Sequence, residues 1–295
     1  MITSEQKREF AAALRTGQTL IAPGCYDAMS AMMAVRGGAT CVMTSGFAVS
    51  ATHLGLPDVE LYTMTENLNV VRNIANAVDV PVIADTDTGY GNAMNVMRTV
   101  KEFEQAGVCA MIFEDQTAPK SCAAAAKQLE IIPAHEHAGK IRAAVQARRD
   151  PDTLIIARTD ATSEEEAIFR AKMYVEAGAD LIQPISRTFT DFEGLKRMHA
   201  AVRVPLSLQI LGWLETELTQ EQIFEVAGVA CYPLVGLMSS AQVMQDNYAK
   251  LITDQSTRNL PHAVMSMSEF KTFIGFEDIE QKQIKFMLMN LRDKE

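Results

Sequence analysis

Short apolar runs alternate with longer amphipathic stretches along almost the whole chain. The runs fall at residues 19–23, 41–45, 80–85, 110–114, 153–158, 180–184, 205–210 and 229–234. Several are too short for helices and rich in Val and Ile, which predicts strands. Amphipathic stretches such as 94–106 and 164–177 lie between them, and Gly107 and Gly178 follow these two as C-terminal stops. Near-continuous apolar strands joined by helices predict a parallel sheet covered on both faces. Eight such units in 295 residues match an α/β fold of the closed (β/α)8 TIM barrel type. A doubly wound open sheet is the alternative. The first strand is not followed by G-x-G-x-x-G, which weakens the dinucleotide-binding version of that sheet.

The barrel reading places chemistry at the C-terminal ends of the strands. The residues there are polar: Asp27, Ser45 and Gly46, Asp85 and Asp87, Glu114 and Asp115, Arg158, Thr159 and Asp160, and Gln209. The densest stretch is Ala84-Asp85-Thr86-Asp87-Thr88-Gly89-Tyr90-Gly91, directly after an apolar run. Strand alternation puts Asp85 and Asp87 on one side. Two like charges there repel, and a bound cation relieves the repulsion. All-oxygen ligands suit a hard metal such as Mg²⁺ or Mn²⁺. A strand-to-loop turn in which Asp and Gly serve only the backbone is the other reading of the same residues.

Composition narrows the partners. A formal net charge of −10 argues against nucleic acid and anionic membrane. The five cysteines, at 25, 41, 109, 122 and 231, form neither a disulfide framework nor a zinc pattern. No apolar run approaches membrane-spanning length, and the polar first residues lack a signal-peptide core, so a cytoplasmic protein is expected. The segment from Ser266 onward differs from the rest: Phe270, Phe273, Ile274, Phe276, Ile279, Ile284, Phe286 and Met287 give it more apolar surface than one outer helix needs. A subunit interface or packing on the same chain's barrel would each cover it.

These residues resemble the isocitrate lyase/phosphoenolpyruvate mutase superfamily over nearly the whole chain. The likeness runs through Pro23-Gly24-Cys25-Tyr26-Asp27, Thr44-Ser45-Gly46, Leu54-Gly55-Leu56-Pro57-Asp58, the stretch 80–91, Phe113-Glu114-Asp115-Gln116, Pro119-Lys120-Ser121-Cys122 and Ile156-Ala157-Arg158-Thr159-Asp160. It implies one barrel domain over 1–295, with 262–295 as a helical oligomerisation segment. The last helix would be swapped between subunits in a homotetramer, a dimer of helix-swapped dimers. It implies Mg²⁺ held by Asp85, Asp87 and Glu114, whereas Mn²⁺ rests on the oxygen ligands alone. It implies a small carboxylate substrate held by Ser45, Gly46, Asp58, Arg158 and Gln209, with Cys122, Lys120 and Arg158 as catalytic residues.

Several positions depart from the lyase pattern. The lyase loop K-[KR]-C-G-H reads Lys120-Ser121-Cys122-Ala123-Ala124 here, so its Gly and His are alanines. Ile185 stands in place of a glutamate, Gln209 in place of an asparagine and Met43 in place of a tyrosine. A pocket that loses a polar partner rejects its old substrate strongly. These changes point away from 2-methylisocitrate or isocitrate itself. The resulting expectation is a Mg²⁺-dependent carbon–carbon lyase acting on a small 2-hydroxy or 2-oxo acid through an enolate. The alternatives are oxaloacetate decarboxylation or hydrolysis, phosphonopyruvate-type C–P chemistry, and a non-catalytic ligand-binding barrel.

Overall fold

The structure, a computed structural model, describes residues 2–121 and 129–288. Eight parallel strands close into a barrel in sequence order: β1 (Leu20–Cys25), β2 (Val42–Thr44), β3 (Val82–Asp85), β4 (Ala110–Glu114), β5 (Leu154–Thr159), β6 (Leu181–Pro184), β7 (Leu206–Gln209) and β8 (Ala227–Tyr232). β1 pairs with β8, which removes both sheet edges. The open-sheet alternative is thereby excluded. Each expected run contains or overlaps its strand, and β4 matches its run end to end.

Helices α1 (Ser4–Arg15), α2 (Ala28–Arg36), α3 (Gly46–Val49), α4 (Met64–Ala77), α5 (Ala93–Gln105), α6 (Ala134–Ala147), α7 (Glu164–Glu176), α8 (Phe192–Val202), α9 (Trp213–Thr216), α10 (Gln220–Val226) and α11 (Val235–Asp254) accompany the strands. Gly107 and Gly178, at φ +97° and +101°, follow α5 and α7 in the left-handed region that glycine enters at little cost. Asp27 caps α2 through the Ser30 amide at 2.6 Å, so its place after β1 serves the helix rather than the site.

The strand period sorts the core into two sets. Cys41, Met43, Ile83, Ala110, Ile112, Leu154, Ile156, Leu181, Val229 and Cys231 fill the barrel interior, and Phe10, Ala11 and Leu14 of α1 pack with them. Val82, Ala84, Met111, Phe113, Ile155, Ala157, Ile182, Leu206 and Leu208 join the layer shared with the helices. Cys41, Cys109 and Cys231 are buried, as their apolar runs suggest, and burial raises the Cys41 and Cys231 thiols to about 12.

Met1–Met238 and Ser239–Glu295 form separate compact units. In the second, the Asn247 side chain donates to the His262 carbonyl at 3.1 Å and accepts from the His262 amide at 3.0 Å, and the His262 ring meets Asp246 at 2.8 Å. α12 (Met267–Phe273) and α13 (Phe276–Gln283) follow, with Ile274, Phe276, Ile279, Ile284 and Phe286 exposed. Among the described residues no helix is long and apolar enough to cross a membrane.

Candidate active site

Alternation along β3, β4 and β5 carries polar side chains inward at the end of each apolar column. Ala110 and Ile112 face the barrel interior, so Glu114 does too; Leu154 and Ile156 lead likewise to Arg158, and Ile83 leads to Asp85. Glu114 and Arg158 are also register partners on β4 and β5, and Arg158 Nη1 lies 2.8 Å from Glu114 Oε2. Arg158 makes a two-pronged pair with Asp160, at 3.0 Å from Nε and 2.8 Å from Nη2. Such a fork fixes the plane of the guanidinium.

Asp87 arrives by a different route from the one the sequence suggests. β3 ends at Asp85, and Asp87 lies in the following turn at φ +49°. Strand alternation therefore does not bring the two acids together; a left-handed turn does. The Asp87 amide bonds Asp85 Oδ1 at 3.2 Å, and the Glu114 amide reaches the Asp87 carbonyl at 2.9 Å. Asp87 Oδ2 accepts from the hydroxyls of Tyr62 and Tyr90 at 2.8 and 3.0 Å. Asn67 donates to both the Tyr90 hydroxyl and the Asp85 carbonyl, at 2.7 and 2.9 Å. Thr88 bonds Glu60 through its hydroxyl, and its carbonyl accepts from the buried Lys140 at 3.1 Å. Tyr62, Asn67, Glu60 and Lys140 belong to no motif and escape sequence reading.

Lys120 stands among the acids. Its ammonium lies 2.6 Å from Asp87, 2.8 Å from Asp58 and 3.5 Å from Glu114. Burial alone would raise Asp87, but Lys120 and the two tyrosine hydroxyls hold its carboxyl below the usual range. Burial wins at the other two acids. It pushes Asp85, with Asp87 adding to it, up to about 6, and Glu114 up to about 8 despite Arg158 and Lys120. Asp58, Asp85, Asp87, Glu114 and Asp160 thus outnumber their two cations. Both Glu114 carboxylate oxygens and Asp58 Oδ1 are buried in ion-pair contact but lack a well-directed hydrogen bond. Among the described residues no three His, Cys, Asp or Glu side chains already form a metal shell.

The neighbouring acid behaves differently. Asp115 points to the other face of β4 and accepts from Thr159, Tyr174 and Arg170 at 2.8, 2.7 and 3.1 Å. It ties strands to α7 and leaves the chemistry to Glu114. His135 and His137 lie in the first turn of α6; His137 is buried against Tyr174, with ring centroids 4.7 Å apart. Trp213 opens the short helix α9 after β7 and donates to the Ser186 carbonyl at 2.7 Å.

Ser45 caps α3, and Gly46 donates its amide to Asp85 Oδ2 at 3.1 Å. A cavity of about 180 Å³ brings Ser45, Asp58, Asp85, Arg158 and Gln209 together. A second, of about 560 Å³, shares Asp58 and Arg158 with it and takes in Lys120. Of the expected site residues, Ser45, Asp58, Asp85, Lys120, Arg158 and Gln209 line these two cavities, and Gly46, Asp87 and Glu114 contact them through Asp85, Lys120 and Arg158. Cys122 and the alanines after it lie outside the described residues.

The family model described as phosphoenolpyruvate phosphomutase matches residues 10–250. The chain is 38% identical to a 2,3-dimethylmalate lyase of Eubacterium barkeri, over 95% of this chain and 97% of that one. It is 35% identical to a 2-methylisocitrate lyase of Aeropyrum pernix, over 89% and 85% of the two chains. The crystal structure of a phosphonopyruvate hydrolase complex with oxalate and Mg²⁺ superposes with a TM-score of 0.86 at 31% identity, covering 95% of this chain and 99% of that chain.

Proposed function

The chain belongs to the phosphoenolpyruvate mutase/isocitrate lyase superfamily, and from that premise we propose that it is a Mg²⁺-dependent lyase that breaks a carbon–carbon bond in a small 2-hydroxy or 2-oxo carboxylic acid. One observation carries the reading: carboxylates in excess of their cations converge on Arg158 and Lys120, and the Glu114 and Asp58 oxygens there have ion-pair contact but no well-directed hydrogen bond. An all-oxygen, electron-rich donor set fits a hard divalent cation. Asp85, Asp87 and Glu114 would hold Mg²⁺, and Mn²⁺ would serve the same oxygens. When bound, the ion would supply Lewis-acid stabilisation of the negative charge that develops on the substrate's 2-oxygen.

The chain's own groups do the rest. Arg158, held flat by Asp160, presents a donor edge to the substrate's carboxylate and 2-oxygen. Ser45 offers its hydroxyl, Gln209 its amide, and Gly46 makes room beside Asp85. For a 2-hydroxy acid, Asp58, which lines both parts of the cleft, takes the hydroxyl proton. The oxygen's electron pair forms the new C=O as the C2–C3 bond breaks. The bond pair moves onto the carboxylate at C3 as an enolate, which a proton delivered at C3 quenches. The family resemblance assigns that proton to Cys122, with Lys120 supporting it. The likeness to phosphonopyruvate hydrolase favours a second reading within the superfamily, hydrolysis of a 2-oxo acid.

The exposed apolar side chains of Ser239–Glu295 support residues 262–295 as an oligomerisation segment exchanged within a homotetramer. Light scattering of the full chain against a chain lacking 262–295 tests that assembly.

The test of function incubates the protein with 2,3-dimethylmalate, 2-methylisocitrate, oxaloacetate and phosphonopyruvate, with Mg²⁺ or EDTA, and reads products by proton and phosphorus NMR. Mg²⁺-dependent formation of two carbon fragments from a hydroxy acid supports the lyase. Inorganic phosphate or oxalate as product supports the hydrolase. No Mg²⁺-dependent product from any compound counts against both.

A further inference from the structure

The cleft above Arg158 changes character from its inner to its outer part. The inner cavity is lined by Ser45, Asp58, Asp85, Arg158 and Gln209. The outer one opens past Ile185, Leu211 and Leu234, half-buried aliphatic side chains that follow β6, β7 and β8. Ile185 and Leu211 carry no polar side-chain atom, so neither can partner a polar group of a ligand. An alkyl group seated on this wall gains about 25 cal/mol for each Å² it covers; a carboxylate seated on it loses water without a donor, and the donors of the same cavity, Gln116, Lys120, Ser121, Ser186 and Arg187, lie outside this aliphatic patch.

The cations of the cleft are not equivalent either. Lys120 is engaged by Asp58, Asp87 and Glu114, and Arg158 by Glu114 and Asp160. Arg187 lines the outer cavity from the short 3-10 turn Ser186–Thr188 directly after β6. It is exposed, and among the described residues no carboxylate pairs with it. A guanidinium is always charged and suits a carboxylate by its fork of donors.

We propose that the outer half of the cleft selects an alkyl-branched dicarboxylic acid, whose branches lie on Ile185, Leu211 and Leu234 and whose distal carboxylate pairs with Arg187. This rests on the lyase reading, since it seats the reacting carboxylate and 2-oxygen in the inner half. A tricarboxylic acid would set its third carboxylate against the aliphatic wall. An unbranched diacid would leave that wall wet.

The experiment uses the full chain with Mg²⁺. Calorimetry measures the affinity for oxalate, which is small enough for the inner half alone. NMR measures kcat and KM for 2,3-dimethylmalate (a diastereomer mixture), malate and 2-methylisocitrate. The same measurements are made on R187M, R187K and I185E. The branched diacid should exceed both other acids in kcat/KM by at least about 10-fold, the size of effect one or two methyl groups produce in an apolar pocket. R187M should raise its KM by about 10- to 100-fold, in the range for loss of one partner of a charged pair, with oxalate affinity unchanged. R187K should recover part of the loss, and I185E should depress the branched diacid.

Equal loss of oxalate and diacid affinity in R187M, or no change in KM, overturns the inference. So does equal turnover of 2-methylisocitrate, or oxalate binding with no turnover of any acid. Failure of the wild-type chain to bind oxalate with Mg²⁺ sinks the lyase reading and this inference together. Oxalate binding with an indifferent R187M sinks this inference alone.

Discussion

Gly46 and Asp85 are in contact through backbone and side chain at once. The Gly46 amide donates to Asp85 Oδ2 at 3.1 Å, and a Cβ at residue 46 would lie 2.9 Å from that oxygen and 2.9 Å from the Tyr62 hydroxyl. Only glycine lets the strand-2 loop approach the proposed metal acid this closely. G46A should therefore displace Asp85 and Tyr62 together. Misplacement of a reacting group by about 1 Å costs roughly 100-fold in rate. The expected outcome is a fall in kcat of that order with a near-native circular dichroism spectrum, and full activity in G46A would contradict it.

Lys120 neutralises acids that would otherwise face one another. Its replacement by Met removes one partner from a buried cluster, a loss of about 3 kcal/mol. For a chain of this size that lowers Tm by roughly 5 °C. The effect should be largest in EDTA and shrink with saturating Mg²⁺, because the cation supplies the missing charge. Melting curves of K120M and wild type with and without Mg²⁺ measure the difference; equal losses in both conditions would break the link between Lys120 and the cation site.

Arg158 holds its plane through two bonds to Asp160 and turns its third nitrogen to Glu114. Lysine keeps the charge but cannot make the fork. R158K should fold, and should lose about 100-fold or more in kcat/KM, equivalent to roughly 3 kcal/mol of binding lost in the transition state. Steady-state kinetics on the true substrate decides this, and retention of more than a tenth of the activity would mean that charge alone suffices.

His137 links stability to acid pH. Burial of the ring, with Lys140 and Arg170 nearby, pushes its pKa down to about 3. The unfolded chain takes up the proton near pH 6.5, so the folded state binds fewer protons between about 3 and 6.5. This contribution is absent above pH 6.5 and destabilises progressively below it, by at most about 1.4 kcal/mol for each pH unit. H137F, which keeps a ring against Tyr174, should flatten the fall of unfolding free energy between pH 6 and 4. Parallel acid limbs in the two proteins would show that other groups set that slope.

Much of this site follows from local pattern. Alternation from Ala110 through Ile112 to Glu114, and from Leu154 through Ile156 to Arg158, places both charges inside once the runs are read as strands. The same alternation sends Asp115 to the helix layer, yet its partners Arg170 and Tyr174 lie more than fifty residues on and belong to no motif. Asp87 resists the pattern: alternation gives the right neighbour, Asp85, for the wrong reason, because the strand has ended and a left-handed turn makes the contact. Asp27 shows the reverse error, a strand-end acid that serves only a helix cap.

The barrel, its eight strand positions and the inward column of polar strand ends are legible from the residue pattern alone. Those follow from the two-residue strand period and the apolar runs, which are properties of neighbouring residues. The balance of charges emerges only in the folded chain. Asp58, Asp85, Asp87, Glu114 and Lys120 come from separate loops and strands, Tyr62 and Asn67 come from outside every motif, and Arg187 has no acid beside it among the described residues. Coulomb interaction and desolvation depend on distance through space and on burial, and neither quantity exists until the chain has closed.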